Sequence, residues 1–315
     1  MLEIANTILP VFIVMAAGYG MVKSGYLKPE ISSALNAFTV RFAVPTLLFR
    51  AIYNLDFGEA IQWPILLSFY SGALGSFLIA TILARTIFKR RSGESVAVGF
   101  CAMFSNAVLL GVPIAERAFG LETLALVFGI IAFHAPSLYA IGIVTMEFSR
   151  RDGRSFSQTS KLALRSILTN PLIQGVLLGA LFNRLSIQIP TMLSTSIDMV
   201  ATAAIPIALI GIGAALTRYE LKSALSETVM VSIISLVIHP LIALAISYYV
   251  LGLPTQYVKT AVILAAMPPG MNIYIFAILY NRAVALSAST IVVATSISIL
   301  TISGWLWILA LLPEQ

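Results

Sequence analysis

Residues 104–113 read FSNAVLLGVP and residues 266–272 read AMPPGMN, and both stretches interrupt long apolar segments. Proline has no backbone N–H, so Pro268 is expected to leave the carbonyl of Leu264 without its helical donor. A glycine in each stretch permits a backbone turn. The two stretches therefore predict a pair of helices that break in mid-membrane, a pattern typical of secondary transporters.

The composition indicates that a bilayer is the main solvent of this chain. Hydrophobic residues make up 59% of the sequence and charged residues 10%, and the mean hydropathy is +0.97. This is too little polar surface for a water-soluble globule. The period-two alternation of a membrane barrel is absent, so we expect an all-α polytopic membrane protein. Ten transmembrane helices are predicted, beginning near residues 4, 31, 64, 95, 121, 166, 192, 228, 260 and 284.

An internal duplication divides the ten predicted helices into two sets of five. Three prolines recur at one offset of 161 residues, namely Pro10 and Pro171, Pro29 and Pro190, and Pro45 and Pro206. A basic cytoplasmic linker at 150–160 separates a first repeat, 1–149, from a second repeat, 161–315. Because each repeat has an odd number of helices, the second copy enters the membrane upside down. The predicted fold is therefore two inverted five-helix repeats with broken, crossing helices 4 and 9.

Lysine and arginine are unevenly distributed between the two predicted faces. One face holds 14 of the 19 basic residues and the other holds 4, while Arg41 lies inside the second predicted helix. Basic loops stay in the cytoplasm, so both termini are predicted to lie outside. The net charge of +6 indicates contact with anionic membrane lipid, and no nucleic acid is expected as a partner. The single cysteine, Cys101, excludes an internal disulfide and is interpreted as a packing residue.

The two breaks carry the candidate substrate site. Half-helix N-termini that meet near the midplane each bring about half a positive charge, which suits a carboxylate. Asparagine amides add neutral donors and acceptors. The alternative is that the prolines kink packed helices and the asparagines bond across an interface. The candidate substrate-binding residues are Ser105, Asn106, Gly111, Pro113, His134, Met267, Pro268, Pro269, Gly270 and Asn272.

Few ionisable residues lie inside the predicted helices. Arg41 falls near the middle of the second helix, where a charge is costly and is usually paired or functional. It is interpreted as the partner of Asp198 in the seventh helix, as an anion-attracting group, or as a lipid contact. His134 is interpreted as a substrate contact or proton-coupling group, or as a packing histidine. His239 is closer to the kink at Pro240 than to the predicted crossover.

The sequence resembles the auxin efflux carrier family over nearly its whole length. The resemblance rests on Phe42-Ala43-Val44-Pro45, Asn106 to Pro113, Asn170-Pro171, Met267-Pro268-Pro269-Gly270, Phe276-Ala277 and Tyr280-Asn281. It implies an elevator-type mechanism in which helices 1, 2, 6 and 7 form a scaffold and helices 3–5 and 8–10 move. It matches Asn106, Pro113 and Pro268 to motif positions of the family, and it places His134 where plant members have a glutamine. A short linker replaces the long hydrophilic loop of many plant members, which implies a carrier of the bacterial inner (plasma) membrane.

These features predict a secondary transporter of small organic anions, with carboxylates resembling malonate, malate or auxin as substrates. The alternative is a sodium- or proton-coupled symporter or exchanger with a cation at the crossover, although no paired aspartates lie near either break. An enzyme is not expected, because the chain has neither HExxH nor an acidic pair near a break. A receptor would leave the matched breaks unexplained. No cofactor or metal is predicted. The further predicted partners are a coupling proton or sodium ion and a second copy of the chain, bound as a homodimer through the scaffold helices. The exact substrate, the direction of transport, the coupling ion and the oligomeric state stay open.

Overall fold

The computed structural model of the protein describes residues 2–150, 164–165, 168–217 and 225–313. Most of the predicted linker therefore lies outside the described residues. The α-helices are α1 (Leu2–Lys23), α2 (Pro29–Phe38), α3 (Val44–Tyr53), α4 (Phe57–Ala60), α5 (Trp63–Thr86), α6 (Ser92–Met103), α7 (Val112–Phe119), α8 (Leu124–Arg150), α9 (Pro171–Arg184), α10 (Thr191–Leu216), α11 (Leu225–Ile233), α12 (His239–Leu244), α13 (Thr255–Ala265), α14 (Met271–Tyr280) and α15 (Val284–Ala310). The all-α prediction is confirmed for this part of the chain, where the only extended pairing is an isolated two-residue bridge.

Seven helical segments in the described ranges are long and apolar enough to cross a membrane. They are Glu3–Lys23, Ser33–Tyr53, Trp63–Thr86, Leu121–Ser149, Thr191–Leu216, Leu225–Val250 and Val284–Ala310. The other three predicted spans correspond to shorter helices: α6 with α7, α9, and α13 with α14. The arrangement as ten spans in two inverted repeats stays a prediction.

Four π turns interrupt the helices of the described residues, and the sequence analysis did not predict them. The turns are Thr39–Ala43 between α2 and α3, Ala107–Gly111 before α7, Ile234–Ile238 before α12, and Ala245–Val250 after it. Three of the four directly precede a helix with proline at one of its first two positions. A proline cannot donate to the carbonyl four residues before it, and a wider turn accommodates that missing bond.

The first group of packed helices contains α1, α2, α3, α9 and α10. Here α1 packs along α10, and α3 packs along both α9 and α10. A Cβ atom on Gly18 would overlap the carbonyl oxygen of Ile210, and one on Gly179 would lie 2.7 Å from the carbonyl oxygen of Phe49. Gly18 and Gly179 are 161 residues apart, as are Phe49 and Ile210. The two close contacts are therefore equivalent under the repeat offset.

The second group contains α5, α6, α8 and α11–α15. In it, α5 packs along α6, α12 and α13, while α6 packs on α8 and α11 packs on α15. An ion pair joins the turn between α5 and α6 to α11, with Arg90 Nη2 2.7 Å from Glu227 Oε2. The Glu227 side chain is 1% exposed and that of Arg90 31%. The hydrogen bonds that Arg90 donates to Glu227 raise the pKa of the Arg90 guanidinium.

The two ionisable residues predicted inside the scaffold helices do not pair with each other. Asp198 forms its ion pair with Arg50, near the end of α3, and both side chains are about half exposed. Arg41 lies in the π turn between α2 and α3 and is exposed. The interpretation that pairs Arg41 with Asp198 is therefore wrong. Arg50 lies nine residues beyond Arg41, about two and a half helical turns further along the segment.

Candidate functional site

The two helix breaks meet in the interior and hydrogen-bond to each other. Helix α6 ends at Met103 and α13 ends at Ala265. Beyond these ends, Ser105 and Pro269 form an antiparallel bridge, and the Asn106 N–H donates to the carbonyl of Pro268 at 2.9 Å. The breaks predicted from residues 104–113 and 266–272 are thus present and lie in contact, and each satisfies backbone groups of the other.

One expected free carbonyl is occupied. The N–H of Met267 donates to the carbonyl of Leu264 at 3.4 Å, so the prediction that Pro268 leaves this oxygen without a donor is wrong. The chain turns one residue earlier than an α-helix would, because a 3₁₀-type bond from residue 267 replaces the α-helical bond that Pro268 cannot make.

The two asparagines at the breaks both use their amide oxygens within the protein. Asn106 Oδ1 accepts from the N–H of Leu109 at 3.3 Å, as a cap on the following turn. Asn272 Oδ1 accepts from the hydroxyl of Tyr139 at 3.2 Å. Among the described residues, no hydrogen-bond partner is found for the NH₂ group of either amide. Both asparagines therefore offer donors, which favours an anionic or carbonyl ligand over a cation.

A cavity of about 70 Å³ lies beside the crossed breaks. This is several times the ~10–15 Å³ that one water needs on the same measure. Most of its lining residues are apolar, and they come from α3, α8, α9, α10 and α14, from the first π turn and from the residues around the first break. The polar side chains in the lining are Asn36, Thr39, Ser105, Asn106, His134 and Asn272, and the lining contains no Asp, Glu, Lys or Arg.

Three buried polar atoms of this lining have no hydrogen-bond partner among the described residues. They are Oγ1 of Thr39, Oγ of Ser105 and Nδ1 of His134. A buried polar atom without a partner costs about 1–3 kcal/mol, so such atoms are rare unless a ligand or water meets them. Three of them around one cavity indicate a binding site for a small polar molecule.

His134 is held in one orientation by its surroundings. Its Nε2 lies 3.0 Å from the carbonyl oxygen of Ser105, and the ring packs edge-on against Phe104 at a centroid distance of 4.7 Å. A carbonyl oxygen only accepts, so Nε2 carries the hydrogen of this bond. In the neutral ring Nδ1 is then an acceptor. His134 therefore hydrogen-bonds to one break through Nε2, and its Nδ1 has no described partner on a side chain that lines the cavity.

The start of α14 adds a partial positive charge. Met271 and Asn272 line the cavity and are the first two residues of this ten-residue helix. The N-terminal end of a helix carries about half an elementary charge. Together with the two amide NH₂ groups, it makes this side of the cavity favourable for an anion.

The ten predicted site residues fall into three groups in the structure. Ser105, Asn106, His134 and Asn272 line the cavity. Pro269 and Gly270, with Asn106, line a neighbouring cavity of about 20 Å³, which is room for one water. Gly111, Pro113, Met267 and Pro268 are buried and line neither cavity. The last four act on the site by shaping the breaks.

Sequence reasoning missed three polar residues of the site. Asn36 and Thr39 reach the cavity from the segment around the first π turn, and Tyr139 orients Asn272. Asn36 and Thr39 are three residues apart, so they share a helix face. That spacing within an otherwise apolar segment is the signal that could have identified them.

Metal binding has no support in the described ranges. No group of three or more His, Cys, Asp or Glu side chains there could hold a metal ion.

Comparisons with known proteins agree with a membrane transporter. A model of the family described as membrane transport protein matches residues 3–306. The chain is 28% identical over 319 residues to a protein of Rhizobium meliloti (strain 1021) named "Putative malonate transporter", covering 98% of this chain and 97% of the relative. It is 23% identical over 316 residues to auxin efflux carrier component 5 of Arabidopsis thaliana, covering 87% and 88%.

An archaeal relative gives the same picture. An uncharacterized transporter of Methanothermobacter thermautotrophicus is 28% identical over 307 residues, covering 95% of this chain and 96% of the relative. The family model extends over nearly the whole chain, and the resemblance to auxin efflux carriers is confirmed. The chain belongs to the membrane transport protein family, and it is a multi-pass membrane protein.

Proposed function

We propose that the protein is a secondary carrier of small carboxylates, which bind in the cavity beside the crossed breaks. The observation that carries this proposal is the donor character of the cavity. Two asparagines whose NH₂ groups have no described partner, and a helix N-terminus, line a space without any acidic side chain. A carboxylate has acceptors only, so it would satisfy these donors. The name of the Rhizobium relative, which refers to malonate, supports the same class of substrate.

The proposed mechanism is elevator-type alternating access within two inverted five-helix repeats. It is supported by the two packed groups of helices, of which the first would be the scaffold and the second the moving domain. The equivalent contacts of Gly18 and Gly179 under the 161-residue offset support the duplication. The carrier would lie in the inner membrane with both termini outside, and a homodimer would form through scaffold helices.

A second depression, on the other face of α3 from the cavity, supports access to the substrate site from a second direction. It has a volume of about 700 Å³ and is lined by apolar residues together with Arg50, Asn54, Asp56, Glu116 and Thr202. Helix α3 separates it from the cavity: Val44 and Leu48 face the cavity, and Leu47 and Ala51 face the depression. Two spaces on opposite sides of one thin barrier suit a carrier whose site is exposed to each side in turn.

Transport assays in proteoliposomes test the proposal. The purified protein is reconstituted with an internal carboxylate, and uptake of the same labelled carboxylate by exchange is followed for acetate, malonate, succinate and malate. We expect exchange with at least one of them, and its loss in Asn106→Ala and in Asn272→Ala without loss of folded protein. Asn6→Ala is the matched control, since Asn6 is an exposed residue of α1. Exchange at the wild-type rate in both site variants would overturn the site, and stabilisation by sodium alone in a thermal-shift screen would favour the cation exchanger.

A further inference from the structure

The unpartnered nitrogen of His134 is a poor match for a carboxylate as long as the ring is neutral. Nε2 donates to the carbonyl of Ser105, so Nδ1 is left with a lone pair that no described residue meets, on a side chain that lines the cavity. A carboxylate also presents only lone pairs. Two acceptors repel each other unless a proton lies between them. The site therefore satisfies its two amide donors with the anion but needs one more hydrogen at His134.

Among the described residues, no charged group near His134 balances the charge of that proton. On α5, Phe69 packs against the His134 ring, and the hydroxyl of Tyr70 donates a hydrogen bond to the carbonyl of Ile130. From α8, Tyr139 donates to Asn272. His239 lies on the other side of the Phe69 ring, with a centroid distance of 5.3 Å between those two rings, and Cys101 of α6 is buried. The other charged side chains described on α5, α6 and α8 are Arg85, Glu94 and Glu147, each seven or more residues along its helix from the groups named here.

An imidazolium at this position would therefore lack an anionic partner when the cavity is empty. His134 is 3% exposed, and a buried charge without a partner is strongly disfavoured. The empty site is thus expected to hold the neutral ring. A bound carboxylate supplies the missing negative charge, and the protonated Nδ1 then donates to it as a charge-assisted hydrogen bond. Proton and carboxylate each make the binding of the other more favourable.

We propose that each carboxylate binds together with one proton, held between its oxygen and Nδ1 of His134, so that transport is carboxylate–proton symport. This inference rests on the proposed carboxylate function. The proton comes from the water on the side where the anion enters, and both leave to the other side when the loaded site opens there. The ring returns neutral, so the empty site carries no proton back. The stoichiometry is the same whether the shared proton resides on the nitrogen or on the oxygen.

Proton uptake on binding is measured with the intact purified protein. Isothermal titration with malonate at pH 8, repeated in two buffers of different ionisation enthalpy, gives the number of protons taken up per anion. We expect about one proton per malonate, and an affinity that weakens about tenfold per pH unit above pH 8. In liposomes loaded with a pH-sensitive dye, an inward malonate gradient should acidify the interior. A proton count of zero with binding intact overturns the inference.

Two variants assign the proton to His134. His134→Gln keeps a donor for the Ser105 carbonyl but cannot titrate, so we expect its proton count to fall to zero. His239→Gln removes the other buried histidine, which lines no described cavity, and should keep a count of about one. An unchanged count in His134→Gln overturns the assignment. If His134→Gln does not fold, the wild-type count and dye response decide the symport alone.

The outcome separates the two proposals. Carboxylate exchange in proteoliposomes with no proton movement leaves the carrier function standing and overturns only the symport. Absence of both binding and exchange for the whole panel of carboxylates overturns the carrier function, and the symport with it.

Discussion

Replacing Gly270 by alanine tests whether the position of the Asn106 amide controls transport. A Cβ atom at residue 270 would lie 3.0 Å from Cγ of Asn106 and 3.3 Å from its Nδ2. Ordinary contacts begin near 3.4 Å, so the amide must move by a few tenths of an ångström. The backbone itself tolerates alanine, because Gly270 has a φ of −101°. The substitution is therefore a small, directed displacement of one site residue.

Two effects of Gly270→Ala can be estimated from the structure: a loss of stability and a loss of exchange rate. The hydrogen bond from Leu109 to Asn106 Oδ1 is already long at 3.3 Å, so the shift would break this cap at a cost of about 0.5–2 kcal/mol. That corresponds to a fall in Tm of roughly 2–4 °C per kcal/mol. The Asn106 NH₂ group would also lose its contact with the anion. A hydrogen bond to a charged group contributes about 1.5–3 kcal/mol, so we expect exchange to slow by roughly ten- to a hundredfold.

Carboxylate exchange in proteoliposomes and thermal unfolding in detergent are measured on the same preparations. Gly304→Ala is the matched control, because nothing lies within 4 Å of a Cβ atom at this position in α15. It should keep the wild-type exchange rate and stabilise the protein by about 0.5–1 kcal/mol, as alanine replaces glycine inside a helix. Wild-type exchange by Gly270→Ala at all substrate concentrations would refute the role given to Asn106.

Three further predictions concern the Arg90–Glu227 ion pair, the close packing of α10 on α1 and the hydrogen bond that holds Asn272. Arg90→Gln should cost roughly 3 kcal/mol because it leaves the buried carboxylate of Glu227 without its partner, whereas Glu227→Gln should cost about 1 kcal/mol because Arg90 can reach water; equal losses in Tm would contradict this asymmetry. Gly213→Ala should strongly reduce the folded yield in size-exclusion chromatography, since its Cβ atom would overlap a backbone carbonyl of α1; full recovery of folded protein would refute this close packing. Tyr139→Phe should slow exchange several-fold with a loss of about 0.5–1.5 kcal/mol in stability, because it frees the Asn272 amide to rotate; an unchanged rate would show that Asn272 needs no such support.

The sequence predicted the breaks because proline and glycine act locally. Pro268 cannot continue the hydrogen-bond ladder, and α13 ends three residues before it. A π turn before α7 accommodates Pro113, and the first break lies further upstream, between Met103 and Ala107. What replaces the ladder is not local. The Asn106 N–H is satisfied by Pro268, a partner far along the chain, and no spacing rule specifies such a pairing.

The ion-pair partner of Asp198 likewise could not be predicted from the sequence. Asp198 could be matched to an arginine on the neighbouring scaffold helix, but two arginines lie on that segment, at positions 41 and 50. Which of them faces Asp198 depends on the π turn that contains Arg41 and precedes Arg50, since one additional residue in a turn rotates everything beyond it by about 100°. The three-residue spacing of Asn36 and Thr39 places them on one helix face, but only the packing of the folded chain shows that this face borders the cavity.

The bond between the two breaks also has a consequence for how the chain is made. Ribosomes add about 5–20 residues per second, and residue 268 follows residue 106 by 162 positions. The N–H of Asn106 therefore waits roughly 8–32 s after its synthesis before its acceptor exists. During that interval the first break cannot rest against hydrocarbon, where an unsatisfied N–H costs several kcal/mol. Water or the insertion machinery must solvate it, so the site is completed only as the last helices enter the membrane.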